Sequence, residues 1–358
     1  MSGPLVVVAM SGGVDSSVAA ALLVEQGYQV AGMMLRLWSE EGREDENRCC
    51  TPDAIAQARR VAAMLSIPFY AVDVRERFHG TVVQEFLNGY KRGLTPNPCI
   101  VCNRSIRWGY LLEQAQAVGA EYMATGHYAR LSQAENGKVE LRRARDLGKD
   151  QSYVLSSLNQ AQLARTLLPL GEYLKPEVRE LARKFNLPVA ERPDSQDLCF
   201  LGSEDYRTFL SRHAPETVRP GLIVNRSGET LGEHQGLAFY TIGQRKGLRI
   251  AAPEPYYVLE KDLAENRLVV GMAAELGKQV MQVAEINWLE GEPPVERFSA
   301  DVKIRYKANP ASATVIPLAD RRAQVEFDQP VRDITPGQLA VFYQEDRVVA
   351  SGLIRLME

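Results

Sequence analysis

The chain has 358 residues, 45% of them hydrophobic and 24% charged, with a formal net charge of -3. That length predicts two to three domains of ordinary globular composition, and the slightly acidic balance excludes a global attraction to nucleic acid, so RNA binding must rest on local basic patches. The five cysteines, an odd number in a chain of this size, exclude a disulfide framework and point to thiol chemistry or metal.

Met1 to Pro4 carries no basic leader, long apolar segment or cleavage site, so a cytoplasmic protein with no membrane partner is expected. Leu5 to Met10 predicts a strand and Val18 to Leu23 a helix, with Ser11-Gly12-Gly13-Val14-Asp15-Ser16 between them. Two glycines let the backbone turn tightly and approach an anion, and the following helix offers unpaired amides and the positive end of its dipole. Ser11 and Ser16 add hydroxyl donors, and Asp15 either caps the helix or helps hold a Mg2+ ion on the phosphates. The Gly-Lys-Ser/Thr ending of a Walker loop is absent. The hexapeptide resembles the pyrophosphate-binding loop of the N-type ATP pyrophosphatases, which implies cleavage of ATP to AMP and pyrophosphate.

Val30 to Trp38 reads as the next strand. Thr51-Pro52, a capping residue before a proline, opens a helix through Leu65, and the strand Phe69 to Val74 follows. Helices near Thr81 to Arg92 and Asn103 to Val118 and the strand Tyr122 to Thr125 continue the alternation of a doubly wound parallel α/β sheet. Asn136-Gly137 marks a hairpin between Tyr128 to Ser132 and Val139 to Arg143, a small excursion on that domain. Helical patterns resume over Tyr153 to Leu168 and Pro176 to Phe185.

Beyond about Asp205 short β runs separated by turns replace the helices. From Gly277 onward Ala300 to Tyr306, Ala313 to Ile316, Ala323 to Phe327 and Gln338 to Tyr343 alternate like strands of a small barrel. The predicted domains are 1–205, 206–275 and 276–358: an α/β catalytic domain, a β-rich central domain and a C-terminal β-barrel.

Cys99 and Cys102 stand in a proline-stiffened loop, Thr95 to Asn103, that ends where a helix is predicted; there the dipole favours the thiolate, the nucleophilic and metal-binding form. Cys199 lies in a second polar loop beginning Arg192-Pro193-Asp194-Ser195. Structural zinc normally takes four ligands and is disfavoured. The adjacent Cys49 and Cys50 read as small apolar residues.

Five motifs occur in order: Ser11 to Ser16; Asn97-Pro98 with Cys102-Asn103; Thr125-Gly126-His127-Tyr128; Lys149-Asp150-Gln151; and Pro193-Asp194-Ser195-Gln196-Asp197 with Cys199-Phe200. With Tyr240 to Gly247 and Ile304-Arg305-Tyr306 they resemble the tRNA-specific 2-thiouridylase family over essentially the whole chain. The resemblance implies ATP-dependent replacement of the C2 oxygen of the wobble uridine by sulfur in glutamate, glutamine and lysine tRNAs. It implies Cys199 as the persulfide carrier, loaded by a sulfur donor such as a cysteine desulfurase or relay protein, and Cys102 as its catalytic partner, ending in a Cys102–Cys199 disulfide. It implies ATP contacts at Ala9, Met10, Ser11, Gly12, Gly13, Val14, Asp15, Ser16, Leu35 and Gly126. The tRNA contacts implied are Asn97, Pro98 and Cys99 against the target base, and Lys149, Asp150, Gln151, Arg305 and Tyr306. Arg142, Arg143 and Arg145 add a basic cluster, and His127 is assigned no catalytic role.

Many members carry aspartate, proposed as an acid/base, where this chain has Cys99. An alternative route for the same reaction is therefore a [4Fe-4S] cluster on Cys99, Cys102 and Cys199, since thiolates suit soft iron. Another N-type ATP pyrophosphatase ligase is a further alternative, although nothing in the chain resembles a glutaminase.

Overall fold

The computed structural model describes residues 3–43, 51–193, 198–202 and 204–355; Cys49, Cys50 and the motif residues 194–197 lie outside them. The first seven strands are β1 (Leu5–Ala9), β2 (Gln29–Arg36), β3 (Phe69–Asp73), β4 (Tyr122–Thr125), β5 (Arg130–Gln133), β6 (Val139–Arg142) and β7 (Thr166–Leu167). Five form a sheet in the order β3-β2-β1-β4-β7, parallel throughout. Side chains alternate across a strand, so Val6 and Val8 of β1 enter one core with the helices Val14–Glu25 (α1), Pro52–Met64 and Lys175–Lys184, while Val7 enters another with Trp108 and Leu111. All three valines are fully buried, each contributing about 1.5–3 kcal/mol. This is the doubly wound domain expected from the alternation.

The strand order turns back between β1 and β4, and a crevice opens there beyond their carboxyl ends. The loops after these two strands carry Ser11 to Gly13 and Gly126 to Tyr128, so the topology by itself brings two of the sequence motifs together.

Four strands follow, β8 (Gly221–Val224), β9 (Thr230–His234), β10 (Tyr257–Asp262) and β11 (Arg267–Gly271), in the order β10-β11-β8-β9. Their apolar face packs with Phe78, Phe86 and Phe209 in one cluster that also holds Phe200 and Cys102. The helix Tyr206–His213 stands at the entry to this region, where the sequence pattern predicts helices to fade; its Asp205 cap accepts from Arg207 N.

The last six strands, β12 (Lys278–Trp288), β13 (Phe298–Lys303), β14 (Ala311–Leu318), β15 (Arg322–Val331), β16 (Leu339–Gln344) and β17 (Arg347–Ile354), close into a barrel through β12 and β17. The hairpin flagged by Asn136-Gly137 forms as β5 and β6, but β6 joins the barrel's sheet at Arg142 opposite Arg347. It is an extension of the barrel rather than a free excursion. Tyr153 to Leu168 is two short helices and β7 in place of one helix, because Asn159 caps the second helix and restarts the chain.

Candidate active site

α1 begins at Val14 with Gly13 as its N-cap and no side chain bonded to its first amides, so those donors remain for an anion. Neither Asp15 nor Ser16 caps the helix. Ser16 Oγ instead accepts from Ser11 N at 3.1 Å and lies 3.3 Å from Ser11 Oγ, holding the loop curled over the helix start. Gly12 has φ +71°, and a Cβ there would stand 2.3 Å from Ala54 O. At Gly126 a Cβ would stand 2.6 Å from Asp15 C and Ser16 N. Both positions require glycine for close backbone approach.

Asp15 is held by residues far away in the chain. Lys175 Nζ donates to its two oxygens at 2.7 and 2.9 Å, and Tyr128 OH donates to Oδ1 at 2.8 Å. Lys175 is 8% exposed and starts the helix Lys175–Lys184. Both oxygens are engaged, so Asp15 is committed to Lys175 and Tyr128 rather than to holding a Mg2+ ion. Arg192 Nη1 donates to Gly12 O at 3.3 Å, and Nη2 lies 3.1 Å from Asp53 Oδ2.

The thiol region is helical. The predicted loop Thr95 to Asn103 ends early, because Asn97 accepts from Cys99 N and Pro98 opens the helix Pro98–Val101. That helix runs into a π-helical segment, Cys102–Leu111, and then Leu112–Ala117. Cys99 and Cys102 therefore lie in the first turns of a helical run, Cys99 exposed and Cys102 buried. Cys199 is half-buried and packs against the apolar cluster that includes Cys102 and Phe200.

A cleft of about 440 Å³ joins the two regions; its lining includes Ser11, Gly13, Asp15, Ser16, Leu35, Gly126, Cys99, Cys102, Lys149, Gln151 and Tyr306. A pocket of this size suits a nucleotide-sized ligand. Ala9, Met10 and Val14 also line it, and Leu35 supplies an apolar wall with Met33 and Leu37.

His127 lines the same cleft. Arg107 Nη1 and His127 Nε2 lie 3.2 Å apart, and Thr125 Oγ1 lies 2.8 Å from Nδ1. Since guanidinium only donates, Nε2 accepts and Nδ1–H donates to Thr125. Burial, with the Arg107 charge added, pushes the His127 pKa down to about 3, so the ring is a neutral connector. Arg107 also donates to Asn103 Oδ1, whose amide donates to Val154 O.

The residues matched to tRNA contacts have unequal freedom. Asp150 is 6% exposed and accepts from Ala144 N, Ser152 N and Ser152 Oγ. Gln151 accepts from Tyr128 N and donates its own backbone N–H to Tyr128 O. Arg305 pairs with Asp333 at 2.8 Å. Tyr306 is half-buried beside Tyr153 and Lys303; burial pushes its phenol pKa up, helped by Asp150 and Cys99. Pro98 is buried at the helix start. Of the basic cluster, Arg142 pairs with Glu140 and Asp346, and Arg145 with Glu177; Arg143 lies over the Tyr343 ring.

Sequence reasoning missed Lys175, Arg107 and Arg192. Lys175 and Asp15 are separated by 160 positions, and no local pattern signals such a pair. Among the described residues no three His, Cys, Asp or Glu side chains converge as a metal-ligand group. Cys99, Cys102 and Cys199 are therefore not brought together as a three-thiolate metal group. No helix among the described residues is long and apolar enough to cross a membrane.

Family models match the chain in series: a tRNA methyl transferase HUP domain over residues 5–203, a tRNA methyl transferase PRC-barrel domain over 207–272 and an aminomethyltransferase beta-barrel domain over 278–354. The chain is 49% identical over 351 residues to the tRNA-specific 2-thiouridylase MnmA of Moorella thermoacetica, covering 97% of this chain and 98% of the relative. It is 47% identical over 350 residues to that of Chloroflexus aurantiacus, covering 98% of each. It is 48% identical over 353 residues to that of Carboxydothermus hydrogenoformans, covering 98% of this chain and 97% of the relative.

Proposed function

The chain belongs to the tRNA-specific 2-thiouridylase family, and from that premise we propose the division of labour within its ATP-dependent thiolation of a tRNA uridine. The observation that carries it is a cleft lined both by Ser11, Gly13, Val14, Asp15 and Ser16 and by Cys99 and Cys102. Activation and sulfur delivery must meet at one carbon, and a shared cleft provides that meeting point.

A uracil C2 oxygen is a poor leaving group. The oxygen attacks the α-phosphorus of ATP, and pyrophosphate departs into the amides at the start of α1 and the hydroxyls of Ser11 and Ser16. Ala9 to Ser16, Leu35 and Gly126 hold the nucleotide, with Leu35 against the adenine. A divalent ion riding on the ATP phosphates would supply charge neutralisation there, with Asp15 committed to Lys175 and Tyr128.

Cys199 carries the incoming sulfur as a persulfide. The Cys102 thiolate attacks the Cys199 Sγ, a Cys102–Cys199 disulfide forms, and hydrosulfide leaves as the nucleophile for C2. AMP departs when the C2 adduct collapses. The substrates are the glutamate, glutamine and lysine tRNAs, with the wobble uridine as target and a persulfide-bearing protein as donor. Asn97 to Cys99, Lys149 to Gln151, Arg305 and Tyr306 form the tRNA-facing rim, Asp150 by fixing its loop.

Incubation with unmodified tRNA, ATP, Mg2+ and a persulfide source, followed by nucleoside mass analysis, tests this. Wild type is expected to yield 2-thiouridine and Cys199→Ser to yield none; equal yields from both would sink the assignment.

A further inference from the structure

The motif Tyr240 to Gly247 lies outside the lining of the cleft, yet it is built as a fixed loop that presents positive charge. Gly243 N–H donates to Val258 O at 2.8 Å, Val258 N–H donates to Gln244 O at 3.0 Å, and Leu248 is buried in the central apolar cluster. Gln244 braces the turn from inside, accepting from Thr241 N at 3.1 Å and donating to Lys246 O at 2.9 Å. Arg245, Lys246 and Arg249 are exposed. Among the described residues none of the three side chains has an ion pair, a hydrogen bond or an aromatic ring beneath it, and no acidic residue stands between Glu233 and Glu254. Arg142, Arg212, Arg267 and Arg347, by contrast, are each committed to carboxylates.

The loop is also tied to the cleft rim. Gly243 has φ +83°, and a Cβ there would stand 1.9 Å from Asp333 Oδ1, so only glycine lets the loop seat against this carboxylate. Asp333 Oδ1 is buried without a hydrogen-bond partner, while Oδ2 accepts from Arg305 Nη2 at 2.8 Å. Arg305 precedes Tyr306, which lines the cleft.

We propose that Arg245, Lys246 and Arg249 form a phosphate-binding arm for the tRNA backbone beyond the target uridine, held in register with Arg305 by Asp333. This rests on the reading of Arg305 and Tyr306 as tRNA-facing. A nucleic acid strand offers a phosphate at every nucleotide, and a braced loop of unpaired cations meets it without first breaking ion pairs or ordering the chain. Phosphate contacts carry no base information, so the arm supplies affinity and register while the choice of uridine stays in the cleft.

The test measures binding of unmodified tRNA to the full chain by fluorescence anisotropy over a range of salt concentrations, with Arg245→Ala, Lys246→Ala, Arg249→Ala, their triple combination and Arg305→Ala. Each loop substitution is expected to weaken binding about fivefold at about 0.1 M salt and to flatten the slope of log affinity against log salt by about 0.7–0.9, the triple variant by about 2. ATP binding and thermal unfolding are expected to match wild type. A triple variant with wild-type affinity and slope, beside an Arg305→Ala that binds more weakly, overturns the arm and leaves the rim reading standing. Loop variants and Arg305→Ala that all match wild type overturn the rim reading and the arm with it. A triple variant that binds tRNA normally but takes up sulfur poorly from a protein donor overturns the arm and assigns the loop to an acidic face of that donor.

Discussion

At the phosphate end of the cleft the backbone carries the recognition: an uncapped α1, a loop curled on Ser16, and two glycines whose hydrogens face Ala54 O and the Asp15 backbone. At the thiol end the chemistry sits on side chains, with Cys102 in a helical run and Cys199 against aromatic packing. The first arrangement is written in six consecutive residues. The second is assembled by the tertiary fold from segments about a hundred positions apart.

The largest expected effect comes from attacking the backbone-built end. In Gly126→Ala the new methyl carbon would stand 2.6 Å from Asp15 C and Ser16 N, so the start of α1 must move away from the position that receives phosphate. Loss of one preorganised set of donors costs about 100-fold or more in rate. Adenylation, measured as tRNA-dependent pyrophosphate release, is expected to collapse while Cys199 still accepts persulfide sulfur from a donor. Parallel loss of both half-reactions would show that the two ends are not separable.

Lys175→Met probes one of the polar contacts that the loop takes from distant segments, the others coming from Tyr128 and Arg192. It removes the cation from both Asp15 oxygens but keeps the buried stem. Breaking a buried pair costs about 3–5 kcal/mol, and Asp15, whose side chain is 32% exposed, recovers part of that from water. A loss of about 2 kcal/mol in denaturant unfolding is expected, with a weakened apparent affinity for ATP. Unchanged stability would mean that the loop holds its own shape.

These two positions also mark what could be read from the sequence. Gly12, Gly13, Ser11 and Ser16 act through local backbone geometry, so the strand-loop-helix pattern was sufficient to find them. The parallel sheet was legible for the same reason: fully buried strands such as Val6 to Val8 are continuous apolar runs. Lys175, Arg107 and Arg192 look like ordinary surface cations until the fold brings them to Asp15, His127 and Gly12. The start of the thiol helix was placed late because Asn103 to Val118 carries the obvious periodicity, while Asn97 and Pro98 carry the actual cap and first-turn signal.

His127 joins the two ends, since it follows β4 and contacts Arg107 of the thiol-bearing helical run. Its folded pKa lies at about 3 against an ordinary value of 6.5, so between these values the unfolded chain binds the proton and the folded chain does not. Stability therefore falls as pH drops through 6.5 toward 3, by on the order of 1 kcal/mol per pH unit. His127→Gln removes that titration and keeps a donor and an acceptor for Thr125 and Arg107. The variant is expected to show a shallower loss of thermal stability between pH 6.5 and 5 than wild type. If the two acid profiles coincide, protonation at the junction does not couple the ends, and the cleft behaves as two independently stable halves.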